Sequence, residues 1–415
     1  MLRTFCLPNG LVVLAETLPQ AQSVAFVFSI RAGSVYESRH TAGLASFVCE
    51  MILRGTQLLD SRAFLETVDR IGIVRSESVS TLNTDYCAAM LAENLESALR
   101  LYADLLRRPS LPRHEMDAGR RVLLQEILAA KDDPEYRLGR AINEQFYGFH
   151  WGHSPDGDDE SVSRISWEDI LGFYEAFYRP NKTILSIAGA FDLDRLESLL
   201  LELFGDWEAR PAPDLPPIVP SRGLRHIPFD SSQTHLGLAW ELVPISHPQF
   251  ALARAGVQIL DVRLYDEVRE KRGLAYSIDA TCHLFPQAAG AICTAATRAE
   301  FALQTLQIIR DEVERLKDGV SLEELSALKV RRRSDIIMLR ESASSWAAGN
   351  LMDWVYLGRV RDMEEILDSI RNLSLEALNE YLRQHEIESA ILCTLGKKEP
   401  KIPPNIRQFC RTKDL

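Results

Sequence analysis

Two donor side chains seven residues apart, Arg269 and Tyr276, stand in the segment Val268-Arg-Glu-Lys-Arg-Gly-Leu-Ala-Tyr-Ser277. A guanidinium and a phenol can both donate to an oxygen on which negative charge develops, as on a carbonyl under attack. Their plainer use is structural: Arg269 in an ion pair with Asp266 or Glu270, and Tyr276 half-buried on a strand. His150 and His153 have H-x-x-H spacing, but their loop, rich in Gly, Pro and Asp, offers too few fixed ligands for a metal. Asp156–Glu160 (DGDDE) lacks the loop length and terminal glutamate of an EF-hand and reads as a solvated acidic turn. The run Lys329-Val-Arg-Arg-Arg333 falls inside an amphipathic helical stretch with acidic neighbours, so it reads as a solvated helix face. No G-x-G-x-x-G follows a strand and no Walker loop is present, so nucleotide chemistry has no support.

The elements that must position these residues repeat. In the first half, Leu11–Glu16, Ser23–Arg31 and Asp85–Ala92 are β-rich and partly alternating. Helical patterns run from Thr41 to Arg54, from Ser61, and over 94–107 and 112–131. The second half has strand patterns at Thr234–Leu242, 274–284 and 290–297, and helical ones over about 248–270, 299–316 and 321–339. The last opens with Ser321 and Glu324, a capping box. Cys87-AAMLAENLESALRLYADLL lies on Cys293-TAATRAEFALQTLQIIRDEV at an offset of 206 residues, which suggests a duplication. Between the halves, Pro211–Pro220 (PAPDLPPIVP) holds five prolines in ten residues and reads as a semi-rigid linker.

Composition bounds the rest. The 415 residues are 46% hydrophobic and 26% charged, as in an ordinary folded protein and unlike a disordered one. A net charge of −12 argues against a phosphate-backbone binder and implies a preference for basic peptides. No apolar run reaches the length of a membrane span, and the N-terminus lacks the apolar core of a signal peptide. Seven cysteines without a C-x-x-C pair fit free thiols in a reducing, cytoplasmic compartment.

Residues 43–56, GLASFVCEMILRGT, resemble the active-site helix of the pitrilysin/insulinase-type metallopeptidases, a family that includes the mitochondrial processing peptidase. Members carry G-L-A-H-F-L-E-H-M-L-F-K-G-T, the inverted zinc motif H-x-x-E-H. Two histidines four apart share a helical face and bind zinc, and the glutamate activates the metal-bound water. Here those positions are Ser46, Cys49 and Glu50. The family's third ligand corresponds to Glu126 in Arg120-Arg-Val-Leu-Leu-Gln-Glu-Ile127, and a supporting acidic residue two turns earlier falls on Gly119. Oxygen ligands without imidazole suit zinc poorly, although a thiol at Cys49 could bind a soft metal. The plain reading is that Ser46 and Cys49 are small core residues and Glu50 is paired or solvated.

The second motif is better kept. Arg269-Glu-Lys-Arg-Gly-Leu-Ala-Tyr-Ser277 is similar to the R-E-K-R-G-L-A-Y-S of the family's C-terminal half, where the arginine and tyrosine hold substrate backbone beside the zinc. The family's glycine-rich turn before this helix is shortened here, where the chain reads Leu260-Asp-Val-Arg-Leu264. Ser166-WEDILGFYEAFYRPN-Lys182 with its following strand, and the segment from Leu351, also resemble family elements in the same order.

The resemblance implies an α+β fold: two similar domains of mixed and antiparallel sheet packed with helices, hinged as a clamshell. The expected boundaries are 1–210 for the domain with the degenerate zinc motif, 211–222 for the linker, and 223–415 for the domain with the Arg/Tyr motif. The implied role is the non-catalytic subunit of a heterodimer. Arg269 and Tyr276 would serve a partner that has an intact motif and holds the zinc, with none in this chain, and an extended peptide would be bound between them. Homodimers are a further possibility. Two alternatives stay open: a catalytically dead structural or peptide-binding scaffold, and a stand-alone peptidase with an atypical metal at Cys49, Glu50 and Glu126.

Overall fold

The computed structural model describes residues 1–410 apart from 212, 222, 386 and 388–389, so two positions of the proline-rich linker lie outside the described residues. Strands β1 (Leu2–Cys6), β2 (Val12–Thr17), β3 (Ser23–Ile30), β4 (Val74–Val79), β5 (Thr84–Leu91) and β6 (Thr183–Gly189) form one sheet in the order β1-β2-β6-β3-β5-β4. Strand β3 is central and covered on both faces, which is why SVAFVFSI reads as a continuous apolar run and buries all but its first residue. Strand β5 alternates instead, turning Thr84, Tyr86, Ala88 and Met90 inward. Phe26 of β3 meets Tyr102 of the Leu95–Arg107 helix at a ring-centroid distance of 5.0 Å, and Phe28 meets Phe204 at 5.4 Å.

Strands β7 (Gly223–Pro228), β8 (Gln233–Leu242), β9 (Ala275–Phe285), β10 (Ala288–Arg298) and β11 (Ala390–Gly396) form a second sheet, ordered β7-β11-β8-β10-β9. Its pairings repeat those of the first. One parallel pair, β2 with β6 or β7 with β11, is followed by three antiparallel ones. The repetition continues beyond the sheets. Strand β5 leads through a 3-10 turn at Ala92–Asn94 into the Leu95–Arg107 helix, and β10 leads through Ala299–Phe301 into Ala302–Arg315. Matching those turns gives an offset of 207 residues, one more than the hydrophobic pattern alone suggests.

Contacts gather the chain into two units, and these interleave along the sequence. One comprises Met1–Ala129, Phe149–Ile218 and Met338–Trp354; the other comprises Ala130–Gly148, Val219–Ile337 and the chain from Val355 on. The Pro134–Tyr147 helix therefore packs on the second sheet, although it precedes the linker. Asp133 caps it by accepting from the N–H groups of Glu135 and Tyr136. Leu138, Ile142 and Phe146 form its buried stripe. Two glycines let the stripe approach the sheet: a Cβ at Gly237 would lie 2.3 Å from Ile142 Cδ1, and one at Gly290 would lie 2.8 Å from Phe146 Cζ. In the reverse exchange, the Ala343–Leu357 helix packs on the first sheet. There Ser186 Oγ donates to the Ala347 carbonyl (2.7 Å), and Asn350 Nδ2 donates to Glu16 Oε2 (2.7 Å). Among the described residues no helix is long and apolar enough to cross a membrane.

Candidate functional site

The helix bearing the altered motif, Leu44–Ile52, starts abruptly. Gly43 sits at φ 93°, and a Cβ there would meet Asp156 O at 2.8 Å, so only glycine fits. With no side chain at that point to cap the helix, Glu37 does so from outside: its two carboxylate oxygens accept from Gly43 N (2.9 Å) and Ala45 N (2.7 Å). Glu37 is fully buried, and burial pushes its carboxyl up, against the pull of the His153 imidazole and the two N–H groups. His153 Nε2 lies 2.8 Å from Glu37 Oε2, and Nδ1 lies 2.8 Å from the Phe149 carbonyl. A carbonyl can only accept, so Nδ1 carries a proton and the Glu37–His153 contact shares one more. His153 is thus a buried strut for the motif helix, while His150 is exposed. The acidic stretch beside it also has a structural use. Asp158 accepts from Ser161 N (2.9 Å) in a capping box, and Asp159 and Glu160 occupy the first turn of the Asp159–Arg164 helix.

Each altered motif position has another task. Ser46 Oγ donates to the Pro155 carbonyl (2.8 Å). Cys49 is buried, and desolvation pushes its thiol up to about 12 despite a nearby Tyr86 hydroxyl, so it is neither a base nor a thiolate at neutral pH. Tyr86 in turn shares a 2.9 Å hydrogen bond with the Tyr178 hydroxyl. Glu50 Oε1 accepts from Arg54 Nη2 (2.5 Å), one turn on, and Arg54 also reaches Glu115 (2.9 Å). Glu126, on the Met116–Lys131 helix, has its carboxyl raised by partial burial and by the charges of Asp156 and Glu50. Gly119 lies where that helix presses on the motif helix: a Cβ would stand 3.1 Å from Met51 Sδ and 3.3 Å from Phe47 Cε2. The residues present therefore do not fit a zinc ion. The thiol is protonated, the serine and one carboxylate are engaged, and imidazole is missing. Among the described residues no three His, Cys, Asp or Glu side chains come together in a way that could hold a metal.

Arg269 and Tyr276 are arranged differently from the plain structural reading. The Phe250–Leu264 helix runs without a break into a π-helical segment, Tyr265–Glu270, so no turn intervenes. Val268 anchors the segment in the core. The neighbouring acids are used by other cations: Lys271 Nζ bonds Asp266 and Glu267 at 2.7 Å each, and Arg272 bonds Glu267. Among the described residues Arg269 makes no ion pair; its guanidinium lies 5.1 Å from the Tyr265 ring centroid and 6.0 Å from that of Tyr276. The β9–β10 register pairs Ser277 with Ala296 and Ala275 with Thr297, which leaves Tyr276 as the extra residue of a β-bulge. The bulge turns Tyr276 outward, where it is 78% exposed on an edge strand. π-segments and bulges are both devices that re-aim side chains, and both recur at functional sites. Neither leaves a mark on the hydrophobic pattern. Glu37 was equally hidden, because its partner His153 is 116 residues away.

Comparison with known proteins places this geometry. Residues 12–154 match the family model described as insulinase (peptidase family M16), and residues 164–331 match the peptidase M16 inactive domain. The chain belongs to peptidase family M16. Among its relatives, the uncharacterized zinc protease YmxG of Bacillus subtilis is 25% identical over 95% of this chain and 98% of its own. An uncharacterized zinc protease of Mycobacterium leprae is 27% identical, covering 91% of this chain and 88% of its own. A peptidase M16 inactive domain structure from Pseudomonas fluorescens superposes with a TM-score of 0.87 at 22% identity, covering 97% of this chain and 99% of that one. A Helicobacter pylori protease gives 0.86 at 20%, covering 95% and 99%. A chain of Complex III2 from Candida albicans gives 0.84 at 16%, covering 98% of both. These likenesses show the two-sheet M16 fold.

Proposed function

We propose that this M16 chain is the non-catalytic subunit of a two-chain zinc peptidase. It would lend Arg269 and Tyr276 to the active site of a homologous partner with an intact H-x-x-E-H. The observation that carries the reading is the contrast between its two motifs. The zinc-motif positions are absorbed into packing and ion pairs, while Arg269 and Tyr276 are exposed, free of carboxylates and adjacent. Two donors without a carboxylate partner among the described residues, one of them held outward by a bulge, suit contact with a substrate. Zinc in the partner would supply the activated water. This chain's part is to donate from Arg269 Nη and the Tyr276 hydroxyl to the carbonyl oxygen as charge develops, and so to stabilise it. Among the described residues strand β4 bonds only β5, so its outer edge is open to an extended peptide by strand addition. A cytoplasmic location fits the free cysteines.

Mixing the chain with an H-x-x-E-H-bearing homologue from the same genome should produce peptidase activity that neither shows alone. Peptide binding without hydrolysis, whatever the partner, would replace this reading with that of a peptide-binding scaffold.

A further inference from the structure

The basic run Lys329–Arg333 is a solvated face only in part: Arg331 and Arg333 are exposed, whereas Lys329 and Arg332 are half-buried. Its helix, Leu322–Leu339, runs antiparallel to Phe250–Leu264. At one end Arg263 Nε meets Glu324 Oε1 at 2.6 Å, and midway Gln258 and Ile259 face Leu328 and Arg331 across a groove. Continuing that register brings Arg254 opposite Arg332, and both guanidiniums act electrostatically on Cys282 of β9. Opposite charges are matched at one end of the helix pair, whereas like charges meet at the other.

Arg332 Nη1 is enclosed without a hydrogen-bond partner. Among the described residues neither Arg332 nor Arg254 makes an ion pair or a side-chain hydrogen bond, and no ring lies under either cation. Arg361, itself engaged elsewhere, adds positive charge near Arg332, and no carboxylate is among the groups that influence Arg332. Burial together with Arg254 and Arg361 lowers the Arg332 guanidinium to about 10. The neighbouring Lys329 turns away to the Arg371 carbonyl (2.8 Å). A buried guanidinium with an unused N–H, facing like charge, is costly unless an anion completes it.

We propose that Arg254 and Arg332 form a binding site for a phosphate-class oxyanion in the second unit. The planar forks of arginine match phosphate oxygens two at a time, and a dianion offsets both positive charges where a carboxylate offsets one. Free phosphate and a phosphoryl group on a larger molecule share this chemistry. The Cys282 thiol, beside both arginines, is a built-in reporter of occupancy.

The test titrates the full chain with inorganic phosphate against potassium chloride at matched ionic strength, by calorimetry and by melting temperature. Saturable phosphate binding is expected, with slower alkylation of Cys282 as the site fills. Arg332→Met should weaken binding by about tenfold or more. Without phosphate that variant should melt no lower than the unmodified chain, because it removes a buried unpaired cation. Should it fail to fold, Arg254→Met gives the same binding comparison. Competition by ATP at lower concentration would assign the site to a phosphoryl group on a larger molecule, and its absence would assign it to the free ion. The proposal is overturned if phosphate does no more than chloride, if acetate displaces it at equal concentration, or if the arginine variant binds it as tightly.

Discussion

The Glu37 carboxylate holds two helix N–H groups and an imidazole in a site closed to water, and that load sets the cost of His153→Ala. The variant leaves a buried carboxylate without its cationic or proton-sharing partner, which should cost about 3–5 kcal/mol. Urea unfolding would measure it; a loss near that of a surface substitution would show that His153 is no strut. The same position shows what sequence alone could reach. Spacing was enough to question H-x-x-H as a metal site, but nothing in the sequence paired His153 with a glutamate 116 residues earlier. Ser46, Cys49 and Glu50 were legible as changed motif positions. Their new partners, the Pro155 carbonyl, a buried Tyr86 hydroxyl and Arg54, were not, apart from the helical spacing of Glu50 and Arg54.

Among the elements, local signals were read well and non-local ones were not. The Ser321–Glu324 capping box forms as written, with Ser321 N donating to Glu324 Oε2 (2.7 Å) and Glu324 N donating to Ser321 Oγ (3.2 Å). Arg263 and these bonds together hold the Glu324 carboxyl down at about 2. A depressed carboxylate contributes stability above its unfolded value of roughly 4.3, and that contribution is lost as pH falls toward the folded value. Glu324→Gln should therefore lower the melting temperature at pH 7, and its deficit against the unmodified chain should shrink between pH 4.5 and 2. A deficit constant across that range would contradict the assignment. Strands β3, β5, β8, β9 and β10 were each expected within a residue or two of where they lie. The edge strands β1, β4 and β7 carry weaker patterns. The bulge at Tyr276 and the π-segment before it are fixed by packing of Val268 and by strand register, which no local pattern encodes.

For the molecule as a whole, the duplication visible in one aligned segment proves to be a repeated sheet topology, yet the units do not follow the linear halves. The sequence reading kept residues 130–148 with the first half and 338–354 with the second; contacts place them the other way round. The reason is physical: the stripe Leu138–Ile142–Phe146 finds its complement in Gly237 and Gly290, beyond the linker. Expressed alone, residues 1–220 would lack the Ala343–Leu357 helix and leave Ser186 and Glu16 without partners, so that fragment should be protease-sensitive and poorly soluble. Co-expressed with 221–415 it should regain a cooperative melting transition. A stable, cooperatively folded fragment would show that the exchanged helix is dispensable. The central claim concerns the face that carries Arg269 and Tyr276, and the most direct test is steady-state kinetics of the chain mixed with its H-x-x-E-H-bearing partner. Arg269→Ala and Tyr276→Phe should each lower kcat by about 10²-fold or more while partner association, measured separately, is unchanged. Unaltered kcat in both variants, with the complex intact, would contradict it.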